Sequence, residues 1–283
     1  MTLKLAPHTE DILALYDSGI SMTEISRRYG TYLQPVSSLV KKHRRVPSVS
    51  GTINSRYFSE IDSHIKAYFV GFIAGDGAIV KSSRCNSTTL TITLNKRDAC
   101  VLEKLRDELG MSRKLWYFVS QGRFDHVRLI TSDKQIISDL MALGIAPRKS
   151  LTMPDILKNL PNEYKNSFIL GLFDADGSCC VRVAPWTKRS TGKTYSYVKQ
   201  AASLRATLPM CHAIVKQLGL STFHINTSDS IPNLVVGSKT QFIKFFNLIY
   251  ADCEFYLKRK YEKFLPIVYQ DQTISSPVTN TAN

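Results

Sequence analysis

Up to residue 45 the apolar positions recur at helical spacing in three short runs. "TEDILALYDSG" offers Thr9 as N-cap, Ile12, Leu13, Leu15 and Tyr16 as an inner side, and Gly19 as a stop. In "SMTEISRRYG", Ser21 and Glu24 have capping-box spacing, and Gly30 closes the run. "QPVSSLVKKHRR" has Pro35 near a helix start, turns Val36, Leu39 and Val40 inward and leaves a polar, basic outer side. Short helix, glycine turn and short helix with a basic end is the helix-turn-helix pattern. "VPSVSGTINS" then reads as linker, spanning residues 47–57 in all.

From Phe58 onward the pattern repeats. Each copy has an apolar helix ending in Asp-Gly, strand-like runs, a helix ending in Leu-Gly, more strands, and a helix that opens on a lysine. Lys134, Ile137, Leu140 and Leu143 reappear at a constant offset as Lys239, Phe242, Phe245 and Leu248. In copy one, "TLTITLN" alternates with the period of a half-buried strand, and "RKLWYFVSQGRFDHVRLIT" reads as a hairpin turning at Gln121 and Gly122. Copy two carries strand composition in "TYSYVKQAASL" and "FHINTSDSIPNLVVG", with "PWTKRSTGKT" as a longer polar loop. The expected fold class is α+β: a duplicated αββαββα pseudo-dimer over residues 58–150 and 151–269, behind a small all-α domain at residues 1–46. Residues 270–283 are polar and unpatterned, and read as a disordered tail.

Composition narrows the partner. The chain has 283 residues, 43% of them hydrophobic, and a formal net charge of +14, which implies an acidic partner. No run approaches about 18 uninterrupted apolar residues, which argues against membrane spanning and secretion and for an intracellular, cytoplasmic location, while charge alone leaves nucleic acid and an anionic membrane surface both open as the acidic partner. The six cysteines form no CxxC pair and read as reduced, buried thiols.

The paired Asp-Gly ends carry the chemistry. Asp76 and Asp176 close apolar helices at the negative end of the helix dipole, where cations are favoured. Each glycine reads as the left-handed residue that ends a helix. Gly71 and Gly75, and likewise Gly171 and Ala175, are four apart and form small-residue strips that allow close helix packing. If the strips pack together, the two carboxylates meet and repel unless a cation neutralises them. Oxygen-only ligands suit a hard divalent ion such as Mg²⁺, and acids, cation and basic surface together point to phosphodiester hydrolysis.

"FVGFIAGDG" and "ILGLFDADG" resemble the two signature helices of a single-chain LAGLIDADG homing endonuclease, and the resemblance extends over about residues 58–265. It implies a monomeric, Mg²⁺-dependent nuclease whose sheets lie in the major groove of double-stranded DNA at a long, partly asymmetric target. It implies metal binding by Asp76 and Asp176, with Gly75 and Ala175 as further metal contacts, and it puts Lys134 and Lys239 near the active site. The first motif has Ala74 where the second has Asp174; that position is not the metal-binding acid, and Asp174 is expected to be a structural or DNA-proximal group.

DNA contacts are expected from Ser37, Ser38, Lys41, Lys42, Arg44 and Arg45 in the helical domain. In copy one the expected contacts are Arg84, Thr89, Thr91, Thr93, Lys114, Arg123 and Arg128. In copy two they are Arg182, Lys188, Arg189, Lys193, Lys199 and Arg205. Two other functions fit the same residues: a DNA-binding regulator without activity, and an RNA maturase assisting intron splicing.

Overall fold

The computed structural model describes residues 5–18, 20–43, 52–81, 87–120, 124–187, 189–190, 192 and 194–269. The expectations for Gly19, Arg44, Arg45, Arg84, Cys85, Arg123, Lys188, Lys193, the Lys41 side chain and the 270–283 tail lie outside the described residues. The chain divides into two compact units, Met1–Thr52 and Ile53–Asn283.

The first unit contains α1 (Thr9–Asp17), α2 (Met22–Arg28) and α3 (Leu33–His43). Thr9 is the first residue of α1 rather than its cap; a short 3₁₀ turn, Ala6–His8, precedes it. The Ser21 hydroxyl accepts from the Glu24 amide at 3.2 Å, as the capping spacing predicts. Leu5, Ile12, Leu13, Ile25, Val36 and Val40 form its core. Ser38 and Lys42 are exposed on α3, and Ser37 is half-buried.

The second unit runs α4 (His64–Asp76), β1 (Gly77–Lys81), β2 (Thr88–Asn95), α5 (Ala99–Glu108), β3 (Trp116–Ser120), β4 (Phe124–Thr131) and α6 (Lys134–Leu143). A short α7 (Lys149–Thr152) leads to the second copy: α8 (Lys165–Asp176), β5 (Gly177–Thr187), β6 (Thr194–Arg205), α9 (Leu208–Leu218), β7 (His224–Asn226), β8 (Asn233–Val236) and α10 (Lys239–Ile249). Then come α11 (Lys258–Tyr261) and α12 (Leu265–Val268). Both sheets are antiparallel with the same order, β1-β2-β4-β3 and β5-β6-β8-β7. This is the duplicated αββαββα arrangement, with both copies in one compact unit.

Three details differ from the sequence reading. The linker is shorter, because the Asn54 amide bonds the Leu109 carbonyl at 2.8 Å and the Ser55 hydroxyl bonds Asp133 at 2.6 Å. Pro185, Trp186 and Thr187, expected in a loop, complete β5 and pair with Ser196, Tyr195 and Thr194. Cys100 and Cys180 are exposed, whereas Cys179 and Cys211 are buried. No helix of the described residues is long and apolar enough to cross a membrane.

The core lies between the two sheets and the helices, and α4 and α8 run through it. Residues 67–74 and 167–174 are buried on every side of their helices, so these helices read as apolar all round rather than amphipathic. Alternation in the strands then separates the core from an open sheet face. Leu90, Ile92, Leu94, Val127 and Leu129 are buried, while Thr89, Thr91, Thr93 and Arg128 are not.

Candidate active site

The site is assembled where α4 and α8 pack side by side. A methyl group at Gly71 would lie 2.8 Å from the Phe168 carbonyl carbon and 2.9 Å from the Leu172 nitrogen. One at Gly171 would meet Tyr68 and Phe72 at the same two distances. Only hydrogen fits at either crossing. At Gly75 an added methyl would strike the Ala175 Cβ and reach to 3.2 Å of Asp176 Oδ2. The seam therefore brings the ends of both helices together, and Asp76 with Asp176.

Gly77 and Gly177 do not adopt the left-handed conformation expected of them. Their backbones are extended, at φ −74°, ψ 146° and φ −83°, ψ 161°, so each helix passes straight into the first strand of its sheet. Glycine is required by space: a side chain would lie 2.6 Å from the Ile73 carbonyl in one copy and 2.5 Å from the Phe173 carbonyl in the other.

Both acids are pushed toward the neutral form. Asp76 rises to about 6, first because the surrounding protein displaces water and then through repulsion by Asp176; Lys260 and Lys149 oppose the shift. Asp176 is also raised by desolvation, against the pull of Lys149, Lys260 and Arg205. Both carboxyls are thus held toward the neutral form by the same loss of water.

The lysines beside these acids are Lys149 and Lys260, not the expected Lys134 and Lys239. Lys134 and Lys239 are exposed first residues of α6 and α10, placed by the Asp133 and Ser238 caps. Neither is among the charges acting on Asp76 or Asp176. Lys149 is 7% exposed, and its Nζ donates to the Gly75 carbonyl. Lys260 is 4% exposed and donates to the carbonyls of Phe173 (2.8 Å), Asp174 (2.7 Å), Ala175 (3.2 Å) and Gly177 (2.7 Å). Burial lowers both, Lys260 to about 8. Each lysine thus closes the carbonyl end of the helix that carries an acid. The preceding residue in copy one, Arg148, has φ 61°, a strained left-handed conformation that starts α7 on Lys149.

Asp174 is structural. It is 1% exposed, and its Oδ2 accepts from the Tyr68 hydroxyl at 3.0 Å and the Leu257 amide at 2.7 Å. It thereby fixes the segment that delivers Lys260. Arg259 in the same segment forms a bidentate pair with Asp98 of copy one, both bonds 2.7 Å.

The donor set suits a hard cation. Asp76 and Asp176 supply carboxylate oxygens, and the Gly75 and Ala175 carbonyls, already accepting from the lysines, each keep a second lone pair. Among the described residues no group of three or more His, Cys, Asp or Glu side chains could hold a metal, so water or substrate oxygens would complete the shell.

The open sheet faces hold most of the remaining candidates. Register places Thr89, Thr91, Thr93 and Arg128 on one face of the first sheet. Arg182 opposes Lys199 on the second, with Arg205 on the same face bound to Asp229 at 3.1 Å. Lys114 and Arg189 are exposed in connections. Trp116, Phe118, His126, Tyr195 and Tyr197 share these faces and were missed, although alternation from Arg128 and Lys199 would have found them.

No family model and no curated protein matches the sequence. Among solved structures, the LAGLIDADG meganuclease I-AabMI bound to uncleaved DNA is 15% identical, with a TM-score of 0.50 over 72% of this chain and 89% of its own. The I-LtrWI LAGLIDADG homing endonuclease bound to target DNA is also 15% identical, with a TM-score of 0.50 over 78% of this chain and 92% of its own. Two sheets of identical order, hung on two glycine-packed helices that each end in Asp-Gly, give this chain the single-chain, pseudo-dimeric fold of the LAGLIDADG homing endonucleases.

Proposed function

We propose that this protein is a site-specific DNA endonuclease that makes a double-strand break with a divalent cation, Mg²⁺ by the chemistry of its donors. The observation that carries this reading is the meeting of Asp76 and Asp176 at the α4–α8 seam, each helix end closed by a buried lysine. A bound divalent cation would activate water and offset charge on the departing oxygen. Asp76 and Asp176 would hold that cation through their carboxylate oxygens. Lys149 and Lys260, held as ammonium groups by the helix-end carbonyls, would keep positive charge beside the scissile phosphate. The open sheet faces, rich in Thr, Arg, Lys and aromatic side chains, meet the major groove of double-stranded DNA. The three-helix unit adds DNA contacts through Ser37, Ser38 and Lys42, and the protein acts as a monomer because one chain carries both copies.

The test starts from selection of a bound duplex out of a random library, followed by incubation of that duplex with Mg²⁺. Wild type should cut both strands, and Asp76→Asn and Asp176→Asn should each abolish the double-strand break. Wild-type cutting by both variants, or binding without cutting under any divalent cation, would overturn the assignment.

A further inference from the structure

The open face of the first sheet carries an arginine held in one place. Arg128, on β4, lies over the rings of Trp116 and Phe118, with its guanidinium carbon 5.1 Å and 4.6 Å from their centroids. Its Nε donates to the Thr93 hydroxyl at 2.8 Å. Phe118 is in turn stacked on His126, with ring centroids 5.4 Å apart. Trp116 is 54% exposed, so this ring serves as a platform at the surface rather than as core. All five residues share one face: Trp116 opposes Arg128, Phe118 opposes His126, and Thr93 opposes Arg128 from the other side.

Such an arrangement is more than a phosphate contact needs. A phosphate accepts a charge from many directions, and a mobile lysine or arginine satisfies it. Reading a base edge needs a guanidinium fixed in plane and in direction. The bond to Thr93 occupies Nε and leaves the two terminal amino groups to act together, the geometry that pairs end-on with O6 and N7 of guanine. The aromatic platform and the hydroxyl restrict the side chain before any ligand arrives, which favours binding by preorganisation. Copy two has no equivalent: β4 ends at Thr131 and β8 at Val236, so the counterpart of Arg128 is Asn233.

We infer that Arg128 is a specificity-determining residue that reads one guanine in the half-site met by copy one. This rests on the proposed docking of the open sheet faces in the DNA groove.

The experiment is binding selection from a random duplex library without divalent cation, so preference is read whether or not the protein cuts. Wild type, Arg128→Met, Arg128→Lys and Thr93→Val are compared, with melting temperature as a check on folding. Wild type should require guanine at one position. Arg128→Met and Arg128→Lys should both lose that requirement, by about fivefold to a hundredfold, with preferences elsewhere retained. Thr93→Val should relax it partially. If Arg128→Met weakens all sequences uniformly and keeps the guanine requirement, Arg128 is a charge and not a reader; a full preference kept by Arg128→Lys shows that the fixed guanidinium is not what reads the base. An unchanged profile in folded Arg128→Met overturns the inference while leaving the endonuclease reading intact. A wild type that binds with a guanine requirement but never cuts, together with loss of that requirement in Arg128→Met, supports Arg128 and defeats the endonuclease.

Discussion

Gly171→Ala tests the seam on which the site depends. The added methyl would sit 2.8 Å from the Tyr68 carbonyl carbon and 2.9 Å from the Phe72 nitrogen, whereas ordinary contact begins near 3.4 Å. Both obstacles are backbone of α4, so no rotamer relieves the clash, and the helices must part by an amount on the order of 1 Å. A gap of that size forfeits a quarter to a half of the dispersion energy across the contact. Adding strain to that loss gives a destabilisation of about 3–5 kcal/mol, a large fraction of the roughly 5–15 kcal/mol that holds a domain together. For a unit of this size that lowers the melting temperature by about 10 °C. Gly110→Ala is the control, since its φ is +55° and nothing lies within 4 Å of the added methyl. It should pay left-handed strain alone, about 1–2 kcal/mol. Calorimetry and double-strand cleavage below the melting transition read the two effects. Gly171→Ala should lose cleavage on both strands even where it remains folded, because the acids no longer meet. A Gly171→Ala protein as stable as Gly110→Ala, cutting both strands at the wild-type rate, would refute the reasoning.

Lys260→Met should destabilise by about 3 kcal/mol or more, because it strips donors from buried carbonyls at the end of α8. Lys149→Met, which frees only the Gly75 carbonyl, should cost less; the opposite order in urea unfolding would contradict the capping roles. Titration of Asp76 supplies a pH dependence. Its folded value of about 6 exceeds the ordinary 3.8, so the folded protein binds extra proton between these values, and stability falls as pH rises through that window. A divalent cation competes with that proton and should raise the melting temperature at about pH 8 but not at about pH 4.5. An equal rise at both, or one that survives in the Asp76→Asn/Asp176→Asn double variant, would count against the site. Removal of residues 1–45 should weaken DNA binding and flatten its salt dependence while cleavage chemistry persists; unchanged affinity at several salt concentrations would contradict a DNA role for this unit.

Most of the fold was legible because its signals are local and repeated. Alternation gave the strands of copy one, and the duplicated Asp-Gly ends together with Gly71 and Gly171 gave the seam, since small residues four apart on an all-apolar helix have few other uses. What failed depends on contacts distant in sequence. Lys260 lies 84 positions beyond Asp176 and looks like one more surface cation among Lys258, Arg259 and Lys263. Only the fold reveals that Leu257 is held by Asp174 and that Arg259 is anchored on Asp98, which turns Lys260 inward. Lys134 and Lys239 were placed by the family resemblance alone, and no local signal in the sequence separates a lysine that opens a capped helix on the surface from one turned toward the acids. The glycines of Asp-Gly were identified as necessary, but for the wrong cause, since a steric limit and a left-handed backbone favour the same residue.

The local penalty of an aspartate in the last turn of a helix is resolved by the lysines. Alone, Asp76 would face both the carbonyls of its own helix and the charge of Asp176. Lys149 donates to a carbonyl in that turn and Lys260 to those of the other, so one cation answers the helix dipole and the carboxylates together. Two acids against two lysines leave the site balanced before any ligand arrives, and the shifts record it: the acids move up and the lysines down, as desolvation of all four requires. Adding a divalent cation makes that balance positive, which is the condition for drawing in a phosphodiester and for spreading charge off it as the bond breaks. A site with the acids alone would hold the cation more tightly and attract the backbone less. On the proposed function the buried lysines would set how cation and DNA binding depend on each other, and in Lys260→Met affinity for Mg²⁺ alone should rise while affinity for DNA in its presence falls. Isothermal titration of each ligand in the presence and absence of the other measures both, and a parallel loss of the two would show that Lys260 only holds the fold.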